Sequence, residues 1–188
     1  MRINRVVTRT GDDGKTALIG GDRVAKSALR VNSYGEVDEL NSCLGLAAGW
    51  VEDDQISLIL ENIQHQLFTV GADLAAPMKV QVPRVSSTHV DELEQSMEGL
   101  MDELPPLEEF ILPGGGSAGA TLHLARTVAR RAERAVVALA EQEEVNGQAI
   151  VYLNRLSDFL FVLARVVNRR QNKPETLAVF SQRKKRQP

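Results

Sequence analysis

Two stretches of this 188-residue chain carry residue types that can hold a polyanion. The first is Thr8-Arg9-Thr10-Gly11-Asp12-Asp13-Gly14-Lys15-Thr16, followed by Gly20-Gly21-Asp22-Arg23 and by Lys26 and Arg30. Glycine lets backbone N–H groups converge on an anion, and threonine, arginine and lysine supply further donors. The glycine spacing is not that of the G-x-x-x-x-G-K-[ST] phosphate loop. The stretch therefore reads as an anion-binding loop or as a flexible polar leader, with Ala17-Leu18-Ile19 as an apolar strip that docks it. The second stretch is FILPGGGSAGATLHLARTVARRAER, residues 110–134. Pro113 and Gly114 to Gly116 bar regular structure after Phe110-Ile111-Leu112, and Ser117 stands where it can cap the helix that follows. On that helix Arg126, Arg130 and Glu133 fall at i, i+4 and i+7, a stripe that His123 extends and that Arg131 and Arg134 flank. Such a stripe, tied to a glycine loop, is either a polyanion cradle or a solvated helix face.

Two further sites pose the same choice. In VYLNRLSDFLFVLAR, Asn154 and Asp158 share one face at i and i+4, beside Arg155, in an otherwise apolar helix. Polar groups there need partners, which are a neighbouring helix or a ligand. Asp38 is either a first-turn carboxylate favoured by the helix dipole or the partner of an arginine elsewhere. The signals for metal and nucleophile chemistry are mostly negative. The histidines, His65, His89 and His123, are far apart and none belongs to an E-x-x-H pair, which disfavours a di-iron bundle. No thiolate cluster can hold zinc, and no G-x-S-x-G elbow or Ser/His/Asp set is present. What remains is anion chemistry without a protein nucleophile, as in phosphoryl or nucleotidyl transfer driven by positioning and charge.

The elements that must position these groups are helices. Val37, Leu40, Leu44 and Ala47/Ala48 mark one from Tyr34 to Val51. Ile56, Ile59, Leu60, Ile63, Leu67 and Val70 mark a second over Asp54 to Leu74. Residues 75–87 form a Pro-containing loop. Thr88 and Asp91 then satisfy a capping box, and Val90, Leu93, Met97, Leu100 and Met101 carry a third helix to Pro105-Pro106. The central stretch supplies a fourth, with Leu122, Ala125, Val128, Ala129, Ala132, Val136 and Leu139 inward. Ile150, Leu153, Leu156, Leu160, Leu163, Ala164 and Val167 mark a fifth from about Gln148 to Gln171, closed by Pro174. Without period-2 alternation, essentially no sheet is expected, and short loops between helices imply an all-α antiparallel five-helix bundle.

Composition narrows function further. The chain is long enough for one full core. A formal charge of −3 and a pI near 5.7 argue against a broad nucleic-acid or membrane surface. Aromatics at 4% argue against base-stacking platforms. No apolar run is long enough to span a bilayer, and the first residues lack a signal-peptide core, so the cytoplasm is expected. Cys43, the one cysteine, cannot form an internal disulfide and reads as a buried structural thiol in a reducing compartment. The run Arg183-Lys184-Lys185-Arg186 reads as a tail rather than a site.

Three blocks, TRTGDDGKTALIGGDRVAK with RVNSYGEVDELNSCLG, FILPGGGSAGATLHLARTVARRAER, and VYLNRLSDFLFVLAR, together resemble the PduO-type ATP:cob(I)alamin adenosyltransferases, in order and over nearly the whole chain. The resemblance implies transfer of the 5′-deoxyadenosyl group of ATP to the cobalt of reduced corrinoid, giving adenosylcobalamin and triphosphate. It implies homotrimers with sites between subunits, and one adenosyltransferase domain: an ATP-binding segment at 1–31, a bundle at 32–172 and a tail at 173–188. It assigns the ATP cradle to Thr8, Arg9, Thr10, Gly11, Asp12, Gly14, Lys15, Thr16 and Lys26, completed by Arg130, Arg131, Glu133, Arg134 and Asn154. Arg126 matches an arginine that pairs with the Asp38 carboxylate across the interface, and Phe110 an aromatic that displaces the corrinoid's lower ligand. Gly114 lies beside Phe110, where the backbone can approach the macrocycle. Mg²⁺ is expected to arrive on the ATP phosphates. A cob(II)alamin reductase and an adenosylcobalamin-dependent enzyme are the expected protein partners, with neither nucleic acid nor membrane. A nucleotide-sensing or corrinoid-delivering protein without turnover could carry the same cradle. The family usually has lysine where Arg9 stands, which keeps the charge. Asp13 is a second departure, placing a carboxylate near phosphates.

Overall fold

The computed structural model describes residues 7–180, so the basic run at 183–186 lies outside the described residues. A short antiparallel ribbon opens the chain: β1 (Lys15–Ala17) pairs with β2 (Arg23–Ala25), Thr16 opposite Val24. Five helices follow: α1 (Leu29–Ala48), α2 (Asp54–Ala75), α3 (Ser87–Met101), α4 (Ser117–Ala140) and α5 (Gly147–Arg170). α4 is central and packs on α1 and α5. α2 lies against α1, and α3 against α5. The all-α bundle is as expected. The ribbon is a correction to the expected absence of sheet, because its three-residue strands are too short to show an alternation.

The apolar stripes meet in one core. Leu40, Leu44, Leu60, Leu122, Ala129, Leu156 and Leu160 are fully enclosed. Truncating Leu40 to alanine there would cost about 2–5 kcal/mol through lost transfer energy and the cavity left behind. Met101 is the exception, half exposed at the last turn of α3. Cys43 is only partly buried, and that burial, then Glu39, raises its thiol above the ordinary value. The expected full burial of this thiol is corrected.

Helix ends differ from expectation in three places. α1 begins at Leu29 rather than Tyr34. Gly35 faces open space, and buried Ser33 bonds back to the Leu29 carbonyl at 2.8 Å and across to the Ala135 carbonyl at 3.1 Å. α3 is capped by Ser86 with His89 as the reciprocal partner, two residues before the Thr88/Asp91 pair that fits the motif. α4 has Gly116 at its cap without a side-chain bond, and Ser117 is already its first residue.

Buried polar groups lock the ends of the bundle. Arg30, expected among the anion-binding donors, is instead buried, its Nη1 donating to the Leu74 carbonyl at 2.7 Å and its Nε to Glu143 at 2.9 Å. Asp73 accepts from Arg84, from Val85 N at 3.0 Å and from Asn146 at 2.6 Å, which fastens the 76–86 loop to the start of α5. Arg170 binds Asp53 at 2.7 Å and Glu103 at 2.5 Å and holds both carboxyls below their usual range.

Candidate functional site

α4 lays its polar stripe along the seam with α5. Arg126 and Arg130 from α4, Ser157, Asp158 and Phe161 from α5, and Met101 from α3 wall a cleft of about 290 Å³. The Arg126 Nε is buried and has no partner among the described residues. Burial, then the charge of Arg130, pushes this guanidinium below the ordinary arginine value. A cation so placed is costly until an anion reaches it. His123 is a correction to the expected stripe: it turns inward, 3% exposed, its ring 5.9 Å from Phe161 and both nitrogens unpartnered. Burial, then Arg126, lowers its pKa, so the imidazole is neutral at neutral pH.

The other residues of α4 and α5 expected in the cradle divide. Arg130 and Arg134 are exposed and make no ion pair among the described residues, although Arg134 donates to the Arg130 carbonyl at 3.1 Å. Arg131 bridges to α1, donating to Glu36 at 2.5 Å and pairing with Glu39; those bonds raise its pKa further. Asn154 donates to Glu133 at 3.0 Å, a hydrogen bond between α5 and α4. Asp158 faces Arg155 at 3.6 Å, and Arg155 also holds Glu94 at 2.6 Å.

At the start of α4 the glycine loop is clamped by a residue that sequence reasoning missed. Asn168 of α5, 1% exposed, accepts from Gly116 N at 3.0 Å and donates to the Gly114 carbonyl at 2.9 Å. A Cβ on Gly115 or Gly119 would collide with this amide, and Gly115 adopts φ 105°, so both must be glycine. The loop in turn fixes the lip. Leu112 N donates to the Thr176 carbonyl and Ala178 N to the Phe110 carbonyl, both at 2.8 Å, so residues 176–178 strap the segment that carries Phe110. Phe110 is 76% exposed and meets Phe180 edge-on at 6.1 Å, which rules out a core anchor.

The N-terminal residues expected to bind anion sit elsewhere. Arg9 (φ 59°) and Gly14 (φ 77°) turn the loop, Thr8 and Thr10 share a hydroxyl bond at 3.0 Å, and Gly14 N donates to the Gly11 carbonyl at 3.2 Å. A Cβ on Gly11 would come within 3.1 Å of the Lys26 ammonium, so glycine lets that cation close on the backbone. Asp13 is tied to Arg23 at 2.9 Å and accepts from Lys15 N, which places its charge on a partner. Asp12 is exposed, and Thr16 is half-buried in β1. The apolar strip docks as expected: Ile19 N donates to the Ala75 carbonyl of α2. Ile19 also lines, with Tyr34, Phe68 and Asp38, a cleft of about 440 Å³ on the α1–α2 face. Asp38 is exposed there and unpaired among the described residues.

Within one chain the structure thus brings Arg126 to Arg130 and Phe161, and Asp38 to the anchor of the N-terminal loop. It does not bring Asp38 to Arg126, since their clefts share no lining residue. Nor does the loop bond to α4 among the described residues. A larger cleft of about 470 Å³ beside α2 and α3 offers Glu92 and His65 but no arginine or lysine, so it does not suit a polyphosphate. No group of three or more metal-ligating side chains gathers among the described residues, and no helix is long and apolar enough to cross a membrane.

Comparisons with known proteins agree with one another. Residues 6–167 match the family model described as cobalamin adenosyltransferase. The chain is 46% identical over 170 residues to the corrinoid adenosyltransferase of Bacillus subtilis, covering 88% of each chain. It is 45% identical over 178 residues to that of Mycobacterium leprae, covering 89% of this chain and 93% of the relative. A solved structure of a phenylalanine variant of the Lactobacillus reuteri PduO-type ATP:corrinoid adenosyltransferase, complexed with cobalamin and ATP, superposes with a TM-score of 0.89 at 36% identity. The match covers 93% of this chain and 99% of that one.

Proposed function

The chain belongs to the cobalamin adenosyltransferase family, and on that premise we propose that it transfers the 5′-deoxyadenosyl group of ATP to the cobalt of cob(I)alamin, releasing triphosphate. The observation that carries the reading is a pair of incomplete half-sites. Among the described residues Arg126 is a part-buried cation without an anion, and Asp38 is a carboxylate without a cation on another face of the same chain. A second copy of the chain completes both. The α1–α2 face and N-terminal loop of one subunit meet the α3–α4–α5 cleft of the next, in the homotrimer that the family resemblance implies.

In that arrangement Thr8, Arg9, Thr10, Gly11, Asp12, Gly14, Lys15, Thr16 and Lys26 wrap the triphosphate from one side. Arg130, Arg134, Glu133 and Asn154 close it from the other, and Arg131 joins from its seam with α1. Dry cations and backbone amides offset phosphate charge that Mg²⁺, carried on the ATP, leaves unneutralised. The Asp38–Arg126 pair fixes the subunits in register around the reacting centre. Cobalt(I) of the corrinoid is the nucleophile: a Co–C5′ bond forms as the C5′–O bond breaks in line, the oxygen's electron pair leaving with triphosphate. The protein supplies no base. Phe110, on its strapped lip beside Gly114, excludes water and the corrinoid's lower base from cobalt, which eases the preceding reduction of Co(II). A cob(II)alamin reductase and an adenosylcobalamin-dependent enzyme stand on either side of the reaction, and the cytoplasm is the compartment we propose.

Incubation with ATP, Mg²⁺ and chemically reduced cobalamin tests the reaction. Light-sensitive adenosylcobalamin and triphosphate are expected. Release of pyrophosphate or phosphate rejects the chemistry. Tight ATP binding without product favours a nucleotide-sensing or corrinoid-delivering protein.

A further inference from the structure

The face of α5 that floors the Arg126 cleft continues beyond it. From Asp158, Phe161 and Val162 the helical repeat leads to Arg165, Arg169 and Asn172, which enter a second cleft of about 330 Å³ with Lys173 and Glu175. Its charge is unbalanced. The single carboxylate, Glu175, is spent on Arg165, accepting from Nε at 2.9 Å and Nη2 at 3.2 Å. Arg169 and Lys173 are exposed and make no ion pair among the described residues. The carboxylate near Arg169, Glu103, is held by Arg170 at 2.5 and 3.0 Å.

The two free cations sit on fixed backbone. Asn172 ends the helix at φ 53°, and Lys173 N donates to the carbonyl of Asn168, the residue that clamps the glycine loop. Glu175 leads directly into the 176–178 strap that carries the Phe110 segment. A cationic cleft therefore lies next to the lip at which, in the adenosyltransferase reading, the corrinoid's lower base is displaced.

We propose that this second cleft binds the phosphodiester of the corrinoid's nucleotide tail after the tail's base has left cobalt, with Arg169 and Lys173 as its donors. The proposal rests on the adenosyltransferase reading. A phosphodiester is a monoanion at neutral pH and matches two cations that have no carboxylate of their own. The physical consequence is a population shift. Displacing the base frees a flexible tail, and a contact made only by the displaced tail favours that state over the base-on one. Phe110 would then exclude the base from cobalt while the cleft holds what was excluded.

ATP's triphosphate is the other phosphate source, and binding measurements separate the two. Equilibrium dialysis of the parent and of an Arg169→Ala/Lys173→Ala double variant is run with cobalamin, with cobinamide, which lacks the phosphodiester and base, and with ATP alone. Cobalamin affinity should weaken about five- to tenfold, from loss of two charge-assisted contacts. Cobinamide and ATP should bind as to the parent, and Arg169→Lys/Lys173→Arg should restore cobalamin affinity. Equal weakening for both corrinoids, weakening for ATP alone, or no change with any ligand overturns the assignment. Failure of the parent to bind either corrinoid overturns the functional reading as well, whereas corrinoid binding without adenosyl transfer overturns the reaction only.

Discussion

The α1–α4 seam and the α3–α4–α5 cleft are lined by arginines of the same helix, in opposite states. In the seam, Arg131 is neutralised by Glu36 and Glu39 of α1. In the cleft, barely more than one turn away, Arg126 has a buried nitrogen with no acceptor among the described residues and a pKa pushed down by burial and by Arg130. In the proposed site Arg131 reaches the nucleotide already held by its α1 partners, whereas Arg126 takes its carboxylate from a second copy of the chain. The contrast separates an arginine held within the chain from one whose acceptor the proposal places on a second copy, on a helix where residue type alone cannot.

The largest effect should fall on the cleft. Arg126→Ala is expected to lower kcat/KM about 100-fold or more, the scale of a misplaced reacting centre, because it removes the pair that holds two subunits in register. Arg131→Ala should lower turnover about tenfold at most, and stability by about 1 kcal/mol or less because the pair is partly exposed. Steady-state kinetics beside thermal melts would read both. Equal loss of turnover in the two variants would break the distinction.

Asn168→Ala tests the clamp under the lip. It strips the Gly114 carbonyl and the Gly116 N–H of their partner, so a loss of about 2–3 kcal/mol in denaturant unfolding is expected, with weaker corrinoid binding and intact ATP binding. Phe110→Ala should act more narrowly. Because the ring is exposed, stability should hold and ATP affinity should stay the same. Turnover should fall about tenfold or more when the assay starts from Co(II). Equal activity of variant and parent in that assay would refute the role of the lip.

The smallest effect is a pH dependence of stability. His123 has its folded pKa lowered, by burial first and by Arg126 second, from an ordinary value of 6.5. As pH falls through that value the unfolded chain takes up a proton before the folded one does, so stability should drop on acidification. A His123→Phe variant should show a flatter profile between about pH 6.5 and 5. The carboxyls lowered by Arg170, Asp53 and Glu103, lose their contribution only in more acid solution, which keeps the two windows apart.

Much of the bundle was legible because helical burial repeats along the chain: every inward position expected of α4, from Leu122 to Leu139, is buried. Caps were less legible. Ser86/His89 and Thr88/Asp91 both suit the start of α3, and only the backbone path decides between them. Ser33 lies outside the helix expected from Tyr34, yet it is buried inside α1 and its hydroxyl reaches the Ala135 carbonyl of α4. The anion-binding residue types were also plain, but their sorting was not. Arg30 meets Glu143 across 113 positions of sequence, and Asn168 reaches the glycine loop across 54. No local pattern signals such pairings. The resemblance already implies a pair across an interface, and the packed helices agree in setting Asp38 and Arg126 in separate clefts of one chain.

The central claim is that each site is shared between copies of the chain. Asp38→Ala and Arg126→Ala should each be nearly inactive alone, and the direct test is to co-express the two and assay the mixed oligomers for adenosylcobalamin formation. If Asp38 of one subunit meets Arg126 of the next, some interfaces in the mixture carry neither lesion, and activity should reappear well above that of either variant. Activity that stays at the level of the separate variants would mean that every site holds a lesion, and would contradict a site built from two chains.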